Sequence, residues 1–384
     1  MITGGSRRCC WSAKAGSMKV AAFLGAGWVA VAGFGACSRV QASQSVPAPI
    51  IWTTAAQNGA VIVKIEDAAA DATIHYTADG TVPTASSQRY EGPFLVASTV
   101  TVKAVAITGG EAASGVSNKH LDLSIPPGTL VWSDEFKSAA GAKVQPDPRV
   151  WTYDTGHDGF GNHELEHYCA WGSNAAPCST ADPSAYVSDG YLHIEARQVA
   201  PGVYTSARLK TQGLFSFQYG RFEVRARVPE AQGLWPAAWL LGNNIATVRW
   251  PACGEMDVLE RVNAAKAPDW NEGSIHGIGF TGDTGLGTVA HFQAGQTAAE
   301  WHIYGMIWKK GSVAYYIDDA AHPYVTYTTA NVSGLPGAVW PFDDGQASFI
   351  LLNLAIGGDW PGAPAANTPF SAEMLVDYVR VYTN

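Results

Sequence analysis

Apolar and polar residues alternate with a period of two along most of the chain, and helical spacing is nowhere sustained for a useful length. Val61-Ile62-Val63-Lys64-Ile65, Thr73-Ile74-His75-Tyr76 and Thr99-Val100-Thr101-Val102-Lys103-Ala104-Val105 are separated by turn residues such as Ala78-Asp79-Gly80. That pattern predicts a small β-sandwich over residues 44–125. Pro126-Pro127-Gly128 interrupts it. Proline fixes φ and cannot continue a strand, so residues 126–128 read as a short, stiff linker. The segments 191–196, 221–227, 314–318, 349–354 and 376–382 resume the alternation. With no helical period between them, residues 129–384 predict a large antiparallel sandwich, and the chain as a whole is expected to be all-β.

The first forty residues follow a different rule. Arg7, Arg8, Lys14 and Lys19 precede an apolar run over 20–36 that is too short and too rich in Gly and Ala for a comfortable membrane span. Residues 1–42 therefore read as a secretory signal segment, for which Met18 would serve as a start of ordinary length. Two exits compete: Phe34-Gly35-Ala36-Cys37 resembles a bacterial lipobox, which would anchor the mature chain to a membrane through a lipid on Cys37, and Val40-Gln41-Ala42 resembles a plain cleavage site. Either makes the protein exported, as an outer-membrane or cell-surface lipoprotein or as a secreted or periplasmic protein.

Composition narrows the function. Of 384 residues 47% are hydrophobic and 15% charged, which gives ample material for a core. The 41 Gly, 21 Pro and 14 Trp argue against a helical bundle. The formal charge is −9; without residues 1–42, which hold five basic and no acidic side chains, it becomes −14. Nucleic acid and anionic membrane surfaces need a basic footprint and are disfavoured, and no phosphate-binding loop occurs. The expected substrate is neutral or weakly charged. Of the cysteines outside the leader, Cys169 and Cys178 bracket a short loop suited to a disulfide, and Cys253 is expected as a packed free thiol. A monomer is expected.

The chemical centre is Glu255-Met256-Asp257-Val258-Leu259-Glu260. On a regular strand Glu255 and Asp257 share a face and Glu260 points to the other. One extra residue absorbed between Asp257 and Glu260 would bring all three together, so the spacing predicts a β-bulge. Glu255 and Glu260 would then stand about four strand steps apart, roughly 13 Å between Cα atoms. With both side chains leaning inward, the carboxyl groups end about 5 Å apart, as in a retaining glycosidase rather than an inverting one. Asp257 between them would raise a neighbour's proton affinity. Eleven of the fourteen Trp lie in 129–384, and indole planes stack well on sugar rings.

Residues 129–384 resemble glycoside hydrolase family 16, and within it the bacterial laminarinases. The resemblance is carried by Leu130-Val131-Trp132-Ser133-Asp134-Glu135-Phe136, Gly161-Asn162-His163-Glu164-Leu165-Glu166, Tyr219-Gly220-Arg221-Phe222-Glu223, Gly233-Leu234-Trp235-Pro236-Ala237-Ala238-Trp239, the acidic segment, His276-Gly277, and Val376-Asp377-Tyr378-Val379-Arg380-Val381-Tyr382. It implies a concanavalin-like jelly roll in which Glu255 is the nucleophile, Asp257 the helper carboxylate and Glu260 the general acid/base. It further implies groove positions at Asn162, Glu223, Arg225, Trp235, Trp239, Trp250 and His276, a structural calcium near Glu135 and Asp377, and no cofactor needed for catalysis. The activity implied is hydrolysis of internal bonds in β-1,3-glucan, with mixed-linkage glucan, agarose, carrageenan or mere glucan binding as alternatives. Departures at His163, His167 and Arg261 touch the polar rim of the groove. Residues 44–125 resemble the immunoglobulin-like module found at the C-terminus of chitobiases, which implies an accessory or spacer role.

One rival motif stands in the chain. His163-Glu164-Leu165-Glu166-His167 matches the zinc-protease pattern, but that pattern needs a helix, and Gly159, Gly161 and Gly172 leave little room for one. His193, His291 and His302 read as satisfied or surface histidines.

Overall fold

A computed structural model describes residues 46–384 except 68, 70, 110–112 and 263–266, with the side chain of Asp283 also left undescribed. The signal segment over 1–42 and Cys37 lie outside the described residues. Four antiparallel-rich sheets account for the fold.

The N-terminal module is two small sheets face to face. Strands Ile50–Ala55, Val61–Glu66 and Phe94–Val96 form one; Gln88–Arg89, Ala72–Thr77, Val100–Thr108 and Ser117–Leu121 form the other. Alternation sends Val63, Ile65, Tyr76, Phe94, Val102 and Ala104 into a shared core, as the period-two pattern requires.

The larger sandwich stacks a seven-stranded sheet on a ten-stranded one. We number the strands of the seven-stranded sheet β1 (Thr152–Asp154), β2 (Arg208–Lys210), β3 (Leu234–Gly242), β4 (Glu255–Glu260), β5 (Trp270–His276), β6 (Leu286–His291) and β7 (Ser348–Ile356). Their spatial order is β6-β5-β4-β3-β7-β2-β1. The ten-stranded sheet is built around Tyr191–Ala200, Ala372–Tyr382, Gly220–Arg227 and His302–Lys309.

Strand β7 shows why its sequence is apolar at nearly every position, Ser348 and Asn353 excepted, rather than alternating. Ile350, Leu352, Leu354 and Ile356 enter the core between the sheets. Phe349 and Leu351, on the opposite face, join a second cluster with Leu241 and Cys253. Both faces are covered, so both must be apolar. Cys169 and Cys178 are joined as a disulfide, and Cys253 is a buried free thiol.

The packing leaves no room for a methyl group at Gly305, where a Cβ would lie 2.0 Å from Cζ of the Tyr316 ring. Gly305→Ala must displace that ring, and overpacking of this kind costs about 1–3 kcal/mol. A urea titration of the full chain should show a lower unfolding midpoint for this variant; an unchanged midpoint would mean that the ring yields freely.

Candidate active site

Register fixes the faces of the central strands. Against β3, Leu241 pairs with Glu255, Leu240 with Met256 and Trp239 with Asp257; the pairing then jumps, so that Ala238 faces Leu259 and Ala237 faces Glu260. Val258 is the extra residue of a β-bulge, at the place the spacing predicts. Glu255, Asp257 and Glu260 thus oppose Leu241, Trp239 and Ala237, which share one face of β3. Met256, Val258 and Leu259 go to the core instead.

The bulge has its own clamp. Ladder pairing between β4 and β5 stops after Asp257 and Ser274, leaving the backbone beyond it without a strand partner on the β5 side. The fully buried Asn271 supplies one: its Nδ2 donates to the carbonyl of Val258 at 3.1 Å and its Oδ1 accepts the backbone N–H of Glu260 at 3.1 Å. A buried backbone group left unpaired costs about 1–3 kcal/mol, so this one amide holds Glu260 in its turn of chain.

Each acid has a dedicated donor. Trp250 Nε1 donates to Glu255 Oε2 at 2.6 Å and Trp235 Nε1 to Glu260 Oε1 at 3.1 Å. Ser274 Oγ donates to Asp257 Oδ2 at 2.7 Å, and His276 Nε2 stands 3.3 Å from the same oxygen. Oxygen or nitrogen atoms of Glu255, Asp257 and His276 all lie within 4.8 Å of one another.

Three acids this close cannot all ionise at ordinary pH. Loss of water, followed by the charge of Asp257, pushes Glu255 up to about 8 against the pull of His276, Trp250 and Arg208. Loss of water and the charges of Asp257 and Glu255 hold Glu260 well above the usual carboxylate range. Burial opposes the imidazolium of His276, but the Asp257 hydrogen bond and the three carboxylates outweigh it and raise the ring to about 9. The site therefore offers a proton-holding acid, Glu260, and a second carboxyl aimed across Asp257 at the same space.

Aromatic residues mark both ends. Trp360 meets Trp235 edge-on at 5.4 Å and lies 6.4 Å from Trp270, beyond Glu260. Towards β2, the Arg208 guanidinium stacks 4.7 Å from Trp239, whose Nε1 donates to Asn353 Oδ1 at 2.8 Å. From Asn353 a chain of hydrogen bonds runs through Tyr168 and Glu164 to Asn162.

The positions expected from the sequence thus divide. Asn162, Trp235, Trp239, Trp250 and His276 fall around the acids or on that chain. Glu223 and Arg225 do not: their strand belongs to the opposite sheet, where Phe222, Val224 and Ala226 take the inward positions. Glu223 is bound to Arg221 and Tyr316 and Arg225 to Asp377 on the outer face. The expected calcium pair fails as well. Both oxygens of Glu135 accept from Arg380 at 2.9 and 2.8 Å, and Asp377 is paired with Arg225 at 2.5 Å, so the two acids serve separate guanidinium groups. His163 is exposed beside Asp359 while His167 stacks on His157, with no helix between them. Ser274, Asn271, Arg208, Asn353 and Trp360 are site residues that the sequence reading did not single out.

Comparison with known proteins agrees with this geometry. The model of glycosyl hydrolases family 16 matches residues 172–379, more than half of the chain, and that of the chitobiase/β-hexosaminidase C-terminal domain matches residues 53–118. A β-glucanase of Rhodothermus marinus is 34% identical over 67% of this chain and 86% of its own length. Glucan endo-1,3-β-glucosidase A1 of Niallia circulans is 32% identical over 68% of this chain, which spans only 39% of that longer protein. The laminarinase catalytic domain of Thermotoga maritima MSB8 superposes with a TM-score of 0.58 at 35% identity, over 67% of this chain and 99% of that one. With the acidic strand, its bulge and the two-sheet sandwich in place, the chain belongs to glycosyl hydrolase family 16 and is a glycoside hydrolase, an endo-β-glucanase of the laminarinase type.

Proposed function

We propose that the protein hydrolyses internal bonds of β-1,3-glucan with retention of anomeric configuration. One observation carries this reading: the bulge at Val258 puts Glu255, Asp257 and Glu260 on one face, each with its own donor, between tryptophans that can stack on sugar rings.

Glu255, ionised, attacks the anomeric carbon and forms an ester to the enzyme while the glycosidic bond breaks. Glu260 gives its proton to the departing sugar oxygen. It then takes a proton from water, whose oxygen attacks the same carbon and frees Glu255. Asp257, which accepts from Ser274, helps keep Glu260 protonated in the first half of the cycle. No step needs a group beyond these side chains.

The substrate class follows from chemistry and likeness together. The strongly acidic chain suits a neutral polymer better than a sulfated galactan. The Niallia relative is named as an endo-1,3-β-glucosidase and the Thermotoga structure as a laminarinase. Export is supported by the basic and apolar leader and by the Cys169–Cys178 disulfide, which persists in oxidising compartments. Attachment through a lipid on Cys37 and a monomeric state belong to the same proposal.

Reducing-sugar release by the full chain from laminarin, with lichenan, agarose and carrageenan in parallel, tests the reading. Laminarin should be cut, and Glu255→Gln and Glu260→Gln should each lower kcat at least roughly 10²–10⁴-fold. Glucan retained on a column without new reducing ends would instead mark a binding protein. The pH profile gives a second check. Asp257→Asn removes the charge that helps hold the proton on Glu260, an effect larger than the opposing one of His276. The alkaline limb of kcat/KM should therefore move to lower pH; a limb that stays or rises would contradict the role given to Asp257.

A further inference from the structure

The N-terminal module does not hang from a linker. Leu95 and Ala60 enter the core of the large sandwich, and Ala347 of the sandwich enters the core of the module. Residues 88–95 of the module lie along two segments of the sandwich, 213–216 and 344–347. The backbone N–H of Leu95 donates to the carbonyl of Ser216 at 2.8 Å, and Ser216 Oγ donates to the carbonyl of Pro93 at 3.0 Å. Gln88 Nε2 donates to the carbonyl of Asp344, and Gln346 Nε2 donates to Gln88 Oε1. At Gly92 the backbones are so close that a Cβ would stand 2.7 Å from Gly213 Cα.

The same two segments carry the feet of the connection between β3 and β4, residues 243–254. Asn243 Nδ2 donates to Ser216 Oγ at 2.8 Å, and its backbone N–H to the carbonyl of Ala347 at 2.9 Å. Asn244 Nδ2 reaches Asp344 Oδ2 at 3.3 Å. The far foot rests on this part of the sandwich too: a Cβ on Gly254 would meet Pro341 Cγ at 2.8 Å. Between these anchors the connection forms the short helix Ile245–Val248, packs Ile245 and Cys253 into the cluster of Leu241, Phe349 and Leu351, and leaves Val248 and Trp250 exposed. Yet Trp250 is the residue that donates to Glu255.

We propose that the module is a working part of the active site: by gripping segments 213–216 and 344–347 it sets the feet of the 243–254 connection, and so the position from which Trp250 donates its indole N–H to Glu255. Gln88 and Gly92 are then positioning residues for the reaction, although they belong to another sandwich. The inference rests on the catalytic reading of Glu255 given above.

Donation to a carboxylate favours its ionised form. The other groups facing Glu255 are Asp257 and Glu260 on its own strand, His276 on β5, Arg208 on β2, Tyr315 on the strand Ser312–Ile317 and Cys253 on the connection. None of these except Cys253 lies on an element that the module holds. Loosening the grip should therefore act on Glu255 through Trp250, raising its proton affinity and moving the acid limb of kcat/KM to higher pH.

The test is the pH profile of laminarin hydrolysis for the full chain, Gln88→Ala, Gly92→Ala and Trp250→Phe, with urea unfolding midpoints to verify folding. Trp250→Phe should shift the acid limb upward, lowering kcat/KM below that limb by roughly fivefold, the worth of one hydrogen bond. Gln88→Ala and Gly92→Ala should shift it in the same direction while the alkaline limb stays. If Gln88→Ala is folded and keeps the parent limb while Trp250→Phe moves it, the module does not act on the site. An unmoved limb in Trp250→Phe, or an equal loss at every pH in the module variants, would overturn the proposal as well. Full activity in Glu255→Gln would instead remove the reading beneath it, so the two failures are distinguishable.

Discussion

The site depends on one irregularity, the extra residue at Val258. A strand with strict alternation would send Glu260 into the hydrophobic core opposite Glu255 and Asp257. There a carboxylate could be neither hydrated nor paired, and burying it would be costly. The bulge removes that conflict but breaks the ladder to β5, and the buried amide of Asn271 replaces the two lost backbone partners with a donor and an acceptor. Chemistry and fold stability thus meet in Asn271.

The bulge also creates the electrostatic problem on which the chemistry draws. Three acids on one face repel each other, and desolvation adds to the cost of ionising Glu255 and Glu260. The protein answers with donors rather than a balancing set of cations: Trp250, Trp235 and Ser274 each serve one acid, and His276 supplies the nearest positive charge. The outcome leaves a proton-holding acid, Glu260, where a leaving oxygen would need it. Covered apolar faces on β3 and β7 provide the rigid base that keeps this arrangement from relaxing.

Much of this was legible in the sequence. Period-two alternation identifies both sandwiches, because a half-buried strand must alternate. The spacing of Glu255, Asp257 and Glu260 demands a bulge, because three acids do not otherwise fit beside a core. The two groove positions at Glu223 and Arg225 come from resemblance and lie on the outer face of the opposite sheet, because local motif matches do not say which sheet a strand joins. Asn271 and Ser274 carried no signal: single polar residues in strands look like ordinary outward positions until the register sets them against β4. The grip of the module was hidden for the same reason, since Gln88 and Asp344 are 256 residues apart.

The central claim is that Glu255 and Glu260 work as a pair across Asp257, with the sugar passing through an ester on Glu255. Proton NMR of laminarin hydrolysis in its first minutes tests it most directly, since the configuration of the newly formed reducing end records the number of displacements. The account predicts that the β-anomer forms first and reaches its equilibrium with the α-anomer only later. An α-anomer formed first would mean a single displacement by water and would contradict the assignment of Glu255 as nucleophile.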